Sequence, residues 1–172
     1  IDLSLFPESR PLLGICFGAQ YMAQKGRGEV APSEVREYGR AQLKILETED
    51  PFFLAIPQDT QVWMSHSDTI RKLPEGSVLL GSTEDVENAV FKFEGRPRYG
   101  IQFHPEVYHT LYGKQLLYNF LVGIAGLKQD WTPEAFVEQT VEELREKLGD
   151  DEVVLGLSGG VDSSVAALLL HR

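Results

Sequence analysis

Leu12-Leu13-Gly14-Ile15-Cys16-Phe17-Gly18-Ala19-Gln20 reads as a short apolar strand, a turn with a glycine two positions either side of a cysteine, and the first turn of a helix. A strand that turns straight into a helix is the building unit of layered α/β folds. The small residues flanking the cysteine are those a sharp, strained turn requires if it is to hold a side chain out at the top of a sheet. A helix amino terminus beneath a thiol favours the thiolate, and the N–H of Phe17 is placed to donate to an oxyanion. A lone cysteine after an apolar strand is more often a small core residue. The paired glycines tip this one towards a nucleophile.

A cysteine nucleophile needs a base, and Tyr99-Gly100-Ile101-Gln102-Phe103-His104-Pro105-Glu106 sets a histidine just past an apolar strand, with a carboxylate two positions on. In a parallel sheet, sites gather at the carboxyl ends of strands, where Cys16 and His104 both fall if their strands run side by side. The division of labour expected is His104 as general base and then acid, with Glu106 holding its tautomer and stabilising the imidazolium. A single His-Pro-Glu alone would be a loop turn.

Between these stretches, further short apolar runs at Gln42–Leu46, Gln61–Met64, Val78–Gly81 and Ala89–Phe93 predict strands, and Gly113–Gly123 predicts a helix. After Gly126 the pattern changes. Thr132 is a plausible N-cap with Pro133 in the first helical position, and Val137, Val141, Leu144 and Leu148 recur at helical spacing on an otherwise acidic helix 133–148. We therefore expect two domains, 1–128 and 129–172.

The second domain carries its own junction. Glu152-Val153-Val154-Leu155-Gly156-Leu157 predicts a strand, and Ser158-Gly159-Gly160-Val161-Asp162-Ser163-Ser164 a glycine turn opening a helix. Backbone N–H groups and a helix dipole then converge on one point suited to phosphate, with the serine hydroxyls as added donors. The lysine of the common nucleotide-binding P-loop is absent. Asp162 could meet a magnesium ion or merely cap the helix.

The 172 residues, 42% apolar, suffice for an ordinary core, and the net charge of −10 argues against nucleic acid or an anionic membrane as partners. One cysteine excludes an internal disulfide framework, and no apolar run approaches a membrane span. A soluble cytoplasmic protein is the expectation.

The residues quoted carry a resemblance. Gly14-Ile15-Cys16-Phe17-Gly18-Ala19-Gln20 with His104-Pro105-Glu106 resembles the class I (triad) glutamine amidotransferases, and Ser158 to Ser164 resembles the pyrophosphate loop of the ATP pyrophosphatases. Arg36-Glu37-Tyr38-Gly39-Arg40, Trp63-Met64-Ser65-His66-Ser67-Asp68, and His109-Thr110 with Asn119-Phe120-Leu121 are similar to the GMP synthetase family, in which these two domains follow one another.

The resemblance implies an α/β fold with a mixed, largely parallel sheet and flanking helices, followed by the first strand and helices of a second α/β domain. It implies Cys16, His104 and Glu106 as catalytic triad and Phe17 as oxyanion donor. It implies Gly18, Gln20, Ser65 and His66 as glutamine-binding residues, and Ser158, Gly159, Gly160, Val161, Asp162, Ser163 and Ser164 as ATP-binding residues. The implied substrates are glutamine, ATP with Mg2+, and xanthosine 5'-monophosphate, in a homodimeric parent protein. Against the family pattern, the upstream strand and its Gly-Gly-Pro oxyanion loop have no match before Leu12, so truncation at both ends is expected. Ser67 stands where glycine is more usual, and Gly26-Arg27-Gly28 replaces Leu-Gly-Gly.

Overall fold

The computed structural model describes residues 2–172, apart from the side chains of residues 34–37, so the side chains of Arg36 and Glu37 lie outside the described residues. The chain divides into two compact units, Ile1–Leu127 and Lys128–Arg172.

In the first unit, β1 (Leu12–Ile15), β2 (Glu29–Ile45), β3 (Asp59–Lys72), β4 (Ser77–Ser82), β5 (Val90–Phe93) and β6 (Arg98–Ile101) form a six-stranded sheet in the order β1-β6-β5-β4-β2-β3. The sheet is mixed as expected, but its parallel part is confined to β1 and β6, paired in register from Leu12↔Arg98 to Ile15↔Ile101. The remaining pairs are antiparallel. The short connections between β4, β5 and β6 account for this, because consecutive strands joined by a few residues can only fold back on each other, whereas a parallel neighbour needs a long crossover.

β2 and β3 run well beyond the apolar runs that predicted them. Their polar halves pair as a ribbon, Tyr38↔Ser65 and Gly39↔Met64 among them, through backbone bonds that need no apolar pattern. Within β3 the period of two buries Thr60, Val62, Met64 and His66 together.

Both faces of the sheet are covered. The larger core joins Leu43, Ile45, Val62, Met64, Val90 and Ile101 to Leu116 and Phe120, which come from α2 (Gly113–Tyr118) and the π-helical segment Asn119–Ile124 that continues it. On the other face α1 (Phe17–Lys25) sets Ala19, Met22 and Ala23, one helical stripe, against Ile70 and Phe91. Neighbouring Val90 and Phe91 thus belong to opposite cores, as strand alternation demands. Gly100 is glycine because the Phe91 ring crosses it, leaving 2.3 Å for any Cβ.

In the second unit, α3 (Pro133–Leu148) starts where expected. Thr132 Oγ1 accepts from Ala135 N–H at 3.1 Å, Pro133 opens the helix, and Gly149 at φ 54° ends it. α4 (Val161–His171) follows the glycine turn. The strand expected at 152–157 does not form: these residues join no ladder, and Val154 is 98% exposed. A strand is held by the backbone of its neighbours, and the second unit contains no other strand among the described residues.

Candidate active site

The β1–α1 junction is as sharp as its glycines suggested. Cys16 sits between strand and helix at φ 49°, ψ −107°, a conformation costing roughly 1–3 kcal/mol for a residue with a Cβ. Part of what holds it is the Cys16 N–H, which donates to Ile101 O at 2.8 Å and extends the β1–β6 pairing by one step. The two flanking glycines differ in kind. A Cβ on Gly14 would lie 2.6 Å from Met22 Sδ and 2.7 Å from the Gly18 carbonyl carbon, so the helix could not start there. A Cβ on Gly18 would meet nothing within 4 Å. Gly18 is therefore not required for the turn; it leaves space open beside the cysteine.

His104 follows β6, the parallel neighbour of β1, so both residues stand at the same end of adjacent strands. Its Nδ1 lies 2.6 Å from Glu106 Oε1, and its backbone is clamped: the N–H donates to Trp63 O at 3.0 Å, and its carbonyl accepts from Thr110 Oγ1 at 2.5 Å. Thr110 Oγ1 in turn accepts from Trp63 N–H at 3.1 Å, stitching the loop to β3. Gly113 completes the seat, since a Cβ there would fall 1.9 Å from Pro105 O. The His109 ring stacks on Trp63 at 4.2 Å. Neither Thr110 nor Gly113 was marked for this part by sequence; one hydroxyl and one glycine have no signature until the loop is folded.

The thiol departs from expectation. Burial pushes it above its ordinary pKa and the Glu106 charge adds to that, while the Phe17 N–H and Gln102 pull the other way. The helix start therefore does not by itself produce a resting thiolate. The S–H faces Ser65 O at 3.8 Å, on β3.

The residues expected to bind glutamine are brought to this end of the sheet. Ser65 is exposed beside the sulfur, while His66 is buried with its Nδ1 2.9 Å from Asp68 O. Burial lowers the His66 pKa, with the Asp68 carbonyl opposing and the nearby His104 adding to the fall. Gln20 is 9% exposed, and its amide nitrogen is engaged inward with Asp68 O at 2.7 Å and Gln102 Oε1 at 3.3 Å. That leaves only its oxygen for any ligand. Ser67 Oγ, in the position noted as a departure, pairs with Tyr38 OH at 2.9 Å.

In the second unit the glycine turn is ordered by its own serines. Ser163 and Ser164 hydroxyls donate to Gly160 O at 3.1 and 2.8 Å, Ser158 Oγ lies 3.0 Å from Ser163 Oγ, and Gly159 takes φ 80°. Gly160 caps α4 without a side-chain bond, so the first-turn N–H groups of Val161, Asp162 and Ser163 are those a helix leaves for an anion. No group of His, Cys, Asp or Glu able to hold a metal by itself is present among the described residues.

A strained cysteine at the end of one strand, with a histidine–glutamate pair past the end of its parallel neighbour, is the set of groups a thiol hydrolase on an α/β sheet would use. The family model for glutamine amidotransferase class-I matches residues 2–124, and the chain belongs to that family. Residues 133–172 match the NAD synthase family model.

The chain is 59% identical over 172 residues to the GMP synthase [glutamine-hydrolyzing] of Cytophaga hutchinsonii and 58% identical over 171 residues to that of Christiangramia forsetii. The matches cover 100% and 99% of this chain and 34% of each relative, so the chain spans about a third of the length of these curated proteins. A crystal structure described as that of a GMP synthase subunit, from Thermoplasma acidophilum, superposes with a TM-score of 0.65 at 35% identity, covering 69% of this chain and 58% of that one.

Proposed function

We propose that the chain is the glutaminase domain and the opening of the ATP pyrophosphatase domain, 1–128 and 129–172, of a glutamine-hydrolysing GMP synthase. The single observation that carries the reading is the pairing of the Cys16 elbow and the His104–Glu106 couple at the ends of parallel β1 and β6 in a chain that continues into Ser158–Ser164. The identity to relatives of that name along both parts supports it.

In this reading Cys16 Sγ attacks the side-chain amide carbon of glutamine as His104 takes the thiol proton, and the Phe17 N–H receives the negative charge on the carbonyl oxygen. A thiol held neutral at rest suits this order, since the proton leaves only when substrate and base are in place. The tetrahedral intermediate collapses to a glutamyl thioester, with His104 protonating the departing ammonia. Water, deprotonated by His104, then releases glutamate. Glu106 keeps Nδ1 protonated and balances the imidazolium. Gly18, Gln20 through its oxygen, Ser65 and His66 border the glutamine pocket. At Ser158–Ser164 the chain cradles the phosphates of ATP; Asp162 would help hold the Mg2+ that accompanies the nucleotide, which would supply positive charge to the phosphates. ATP adenylates the C2 oxygen of xanthosine 5'-monophosphate, pyrophosphate leaves, and ammonia displaces AMP to give GMP. The setting is a cytoplasmic homodimer without nucleic-acid or membrane partners; no described helix is long and apolar enough to cross a membrane.

The test is made on the full-length protein with amide-15N-glutamine, magnesium ATP and xanthosine 5'-monophosphate, with labelled GMP, AMP and pyrophosphate read by mass spectrometry. Labelled GMP from the wild type, and GMP from a Cys16→Ala variant only with free ammonia, is the expected result. Ammonia release without GMP would overturn the synthase reading and leave another amidotransferase component or a stand-alone thiol hydrolase.

A further inference from the structure

Gln102 is fully buried, lies directly past the end of β6, and is absent from the catalytic scheme above. Its backbone N–H is held by Ala89 O at 2.8 Å, and its side chain reaches the Cys16 sulfur, Nε2 to Sγ, at 3.8 Å.

The direction of that contact follows from a chain of partners with one unambiguous end. Asp68 O is a backbone carbonyl and can only accept, so the Gln20 atom 2.7 Å away is its nitrogen. The second hydrogen of that nitrogen faces Gln102 at 3.3 Å, so Gln102 presents its oxygen there. Its amino group is thereby turned to Cys16. Two buried amides thus carry an orientation from a β3 carbonyl to the sulfur.

We propose that Gln102 is the donor that supports the Cys16 thiolate as it forms, and that Gln20 is the positioning residue that keeps its amino group aimed at Sγ. The proposal deepens the function given above and rests on Cys16 being the nucleophile. As a thiol, Cys16 donates to Ser65 O and accepts from Gln102. Once the proton is gone, the Ser65 carbonyl faces a negative sulfur with nothing to accept, and the amide N–H becomes a charge-assisted bond.

The groups facing the sulfur come from each surrounding element. The loop after β6 brings Glu106, which opposes the thiolate; α1 brings the Phe17 N–H, which favours it. β3 brings the Ser65 carbonyl, while β1 brings no titratable side chain. Gln102 is the side-chain amide in this set, and its support of the thiolate opposes the upward push of burial.

The experiment follows carboxamidomethylation of the Cys16 peptide by mass spectrometry against pH, in the full-length protein, for wild type, Gln102→Met, Gln102→Glu and Gln20→Met. Gln102→Met removes the donor without adding charge, whereas Gln102→Glu keeps the oxygen that Gln20 needs but sets a carboxylate charge beside the sulfur in place of the donor. We expect the alkylation midpoint to rise by about one pH unit in both Gln102 variants, slowing the reaction about tenfold at neutral pH, and by about half a unit in Gln20→Met, in which Gln102 stays but is free to turn. Unchanged midpoints in folded Gln102→Met and Gln20→Met, whatever their melting temperatures, would overturn the proposal and leave the two amides a structural role. The readout needs no turnover. Full glutaminase activity in Cys16→Ser would instead sink the nucleophile assignment and is scored separately.

Discussion

The Cys16 N–H donates to Ile101 O at 2.8 Å, tying the residue at the top of β1 to the last residue of the strand that runs on into His104. One backbone bond thus places a strained thiol and its proposed base at adjacent strand ends, and it exists because β1 and β6 are parallel neighbours. Gln102, between Ile101 and His104 in sequence, inherits its place under the sulfur from the same pairing.

The 2.6 Å contact between His104 Nδ1 and Glu106 Oε1 leads to the first prediction. Glu106→Gln keeps the shape and removes the charge, and with it the preference for the tautomer whose Nε2 can act as base. Glutamine-dependent kcat should fall about 10²–10⁴-fold, by analogy with aspartate-to-asparagine changes in related triads, with a smaller change in KM. Ammonia-dependent synthesis by the same variant should stay near wild type, and steady-state kinetics with each nitrogen donor would check both halves.

Asp50 is buried and accepts from the Phe52 N–H at 3.0 Å, the Tyr99 hydroxyl at 3.2 Å and the Lys92 ammonium. Burial, with the Asp50 charge second, raises the Tyr99 pKa well above its usual 10.0. An acid whose folded pKa is raised gives stability that is complete below the unfolded pKa and is lost as pH climbs above it. Stability should decline above about pH 10 on this account. Tyr99→Phe should cost about 1–2 kcal/mol at neutral pH and flatten that alkaline decline. Urea titrations across the neutral-to-alkaline range would show it; a decline as steep as in wild type would contradict the assignment.

Gly113 leaves room for Pro105 O where a Cβ would stand 1.9 Å away. The atoms such a Cβ would meet all belong to the Pro105 backbone, so Gly113→Ala must move either the start of α2 or the loop that bears His104 and Glu106. A loss of about 2 kcal/mol or more in stability and at least about tenfold in glutaminase kcat is expected. Urea titration and glutamate release are the measurements; wild-type values in both would show that the loop is not seated in this way.

Arg27 occupies a left-handed backbone at φ 63°, in the segment where the resemblance led one to expect glycine. Its ion pair with Glu75 at 3.2 Å is exposed on both sides and contributes little. Arg27→Gly should relieve the steric cost of that conformation, and despite the greater freedom gained by the unfolded chain should raise stability by up to about 1 kcal/mol. A drop in the urea midpoint would show that the arginine side chain contributes more than its geometry indicates.

Local chemistry was enough to read the cysteine elbow, the histidine–glutamate turn, the capped helix at 133–148 and the serine–glycine loop, because each depends on residues within a few positions of one another. The Thr132 cap, the positive φ of Cys16 and the His104–Glu106 bond are all short-range properties. What lay beyond the sequence was pairing over distance. The lengths of β2 and β3 are set by each other's backbone, the strand expected at 152–157 has no partner in its unit among the described residues, and the thiol's upward shift comes from burial among segments far apart in the chain. The Gln20 side chain shows the division most clearly. The family resemblance made it a pocket residue, but the fold set Asp68 O and Gln102 against its nitrogen. Hydrogen-bond partners are chosen by which groups tertiary packing removes from water together, and no spacing along the chain encodes that choice.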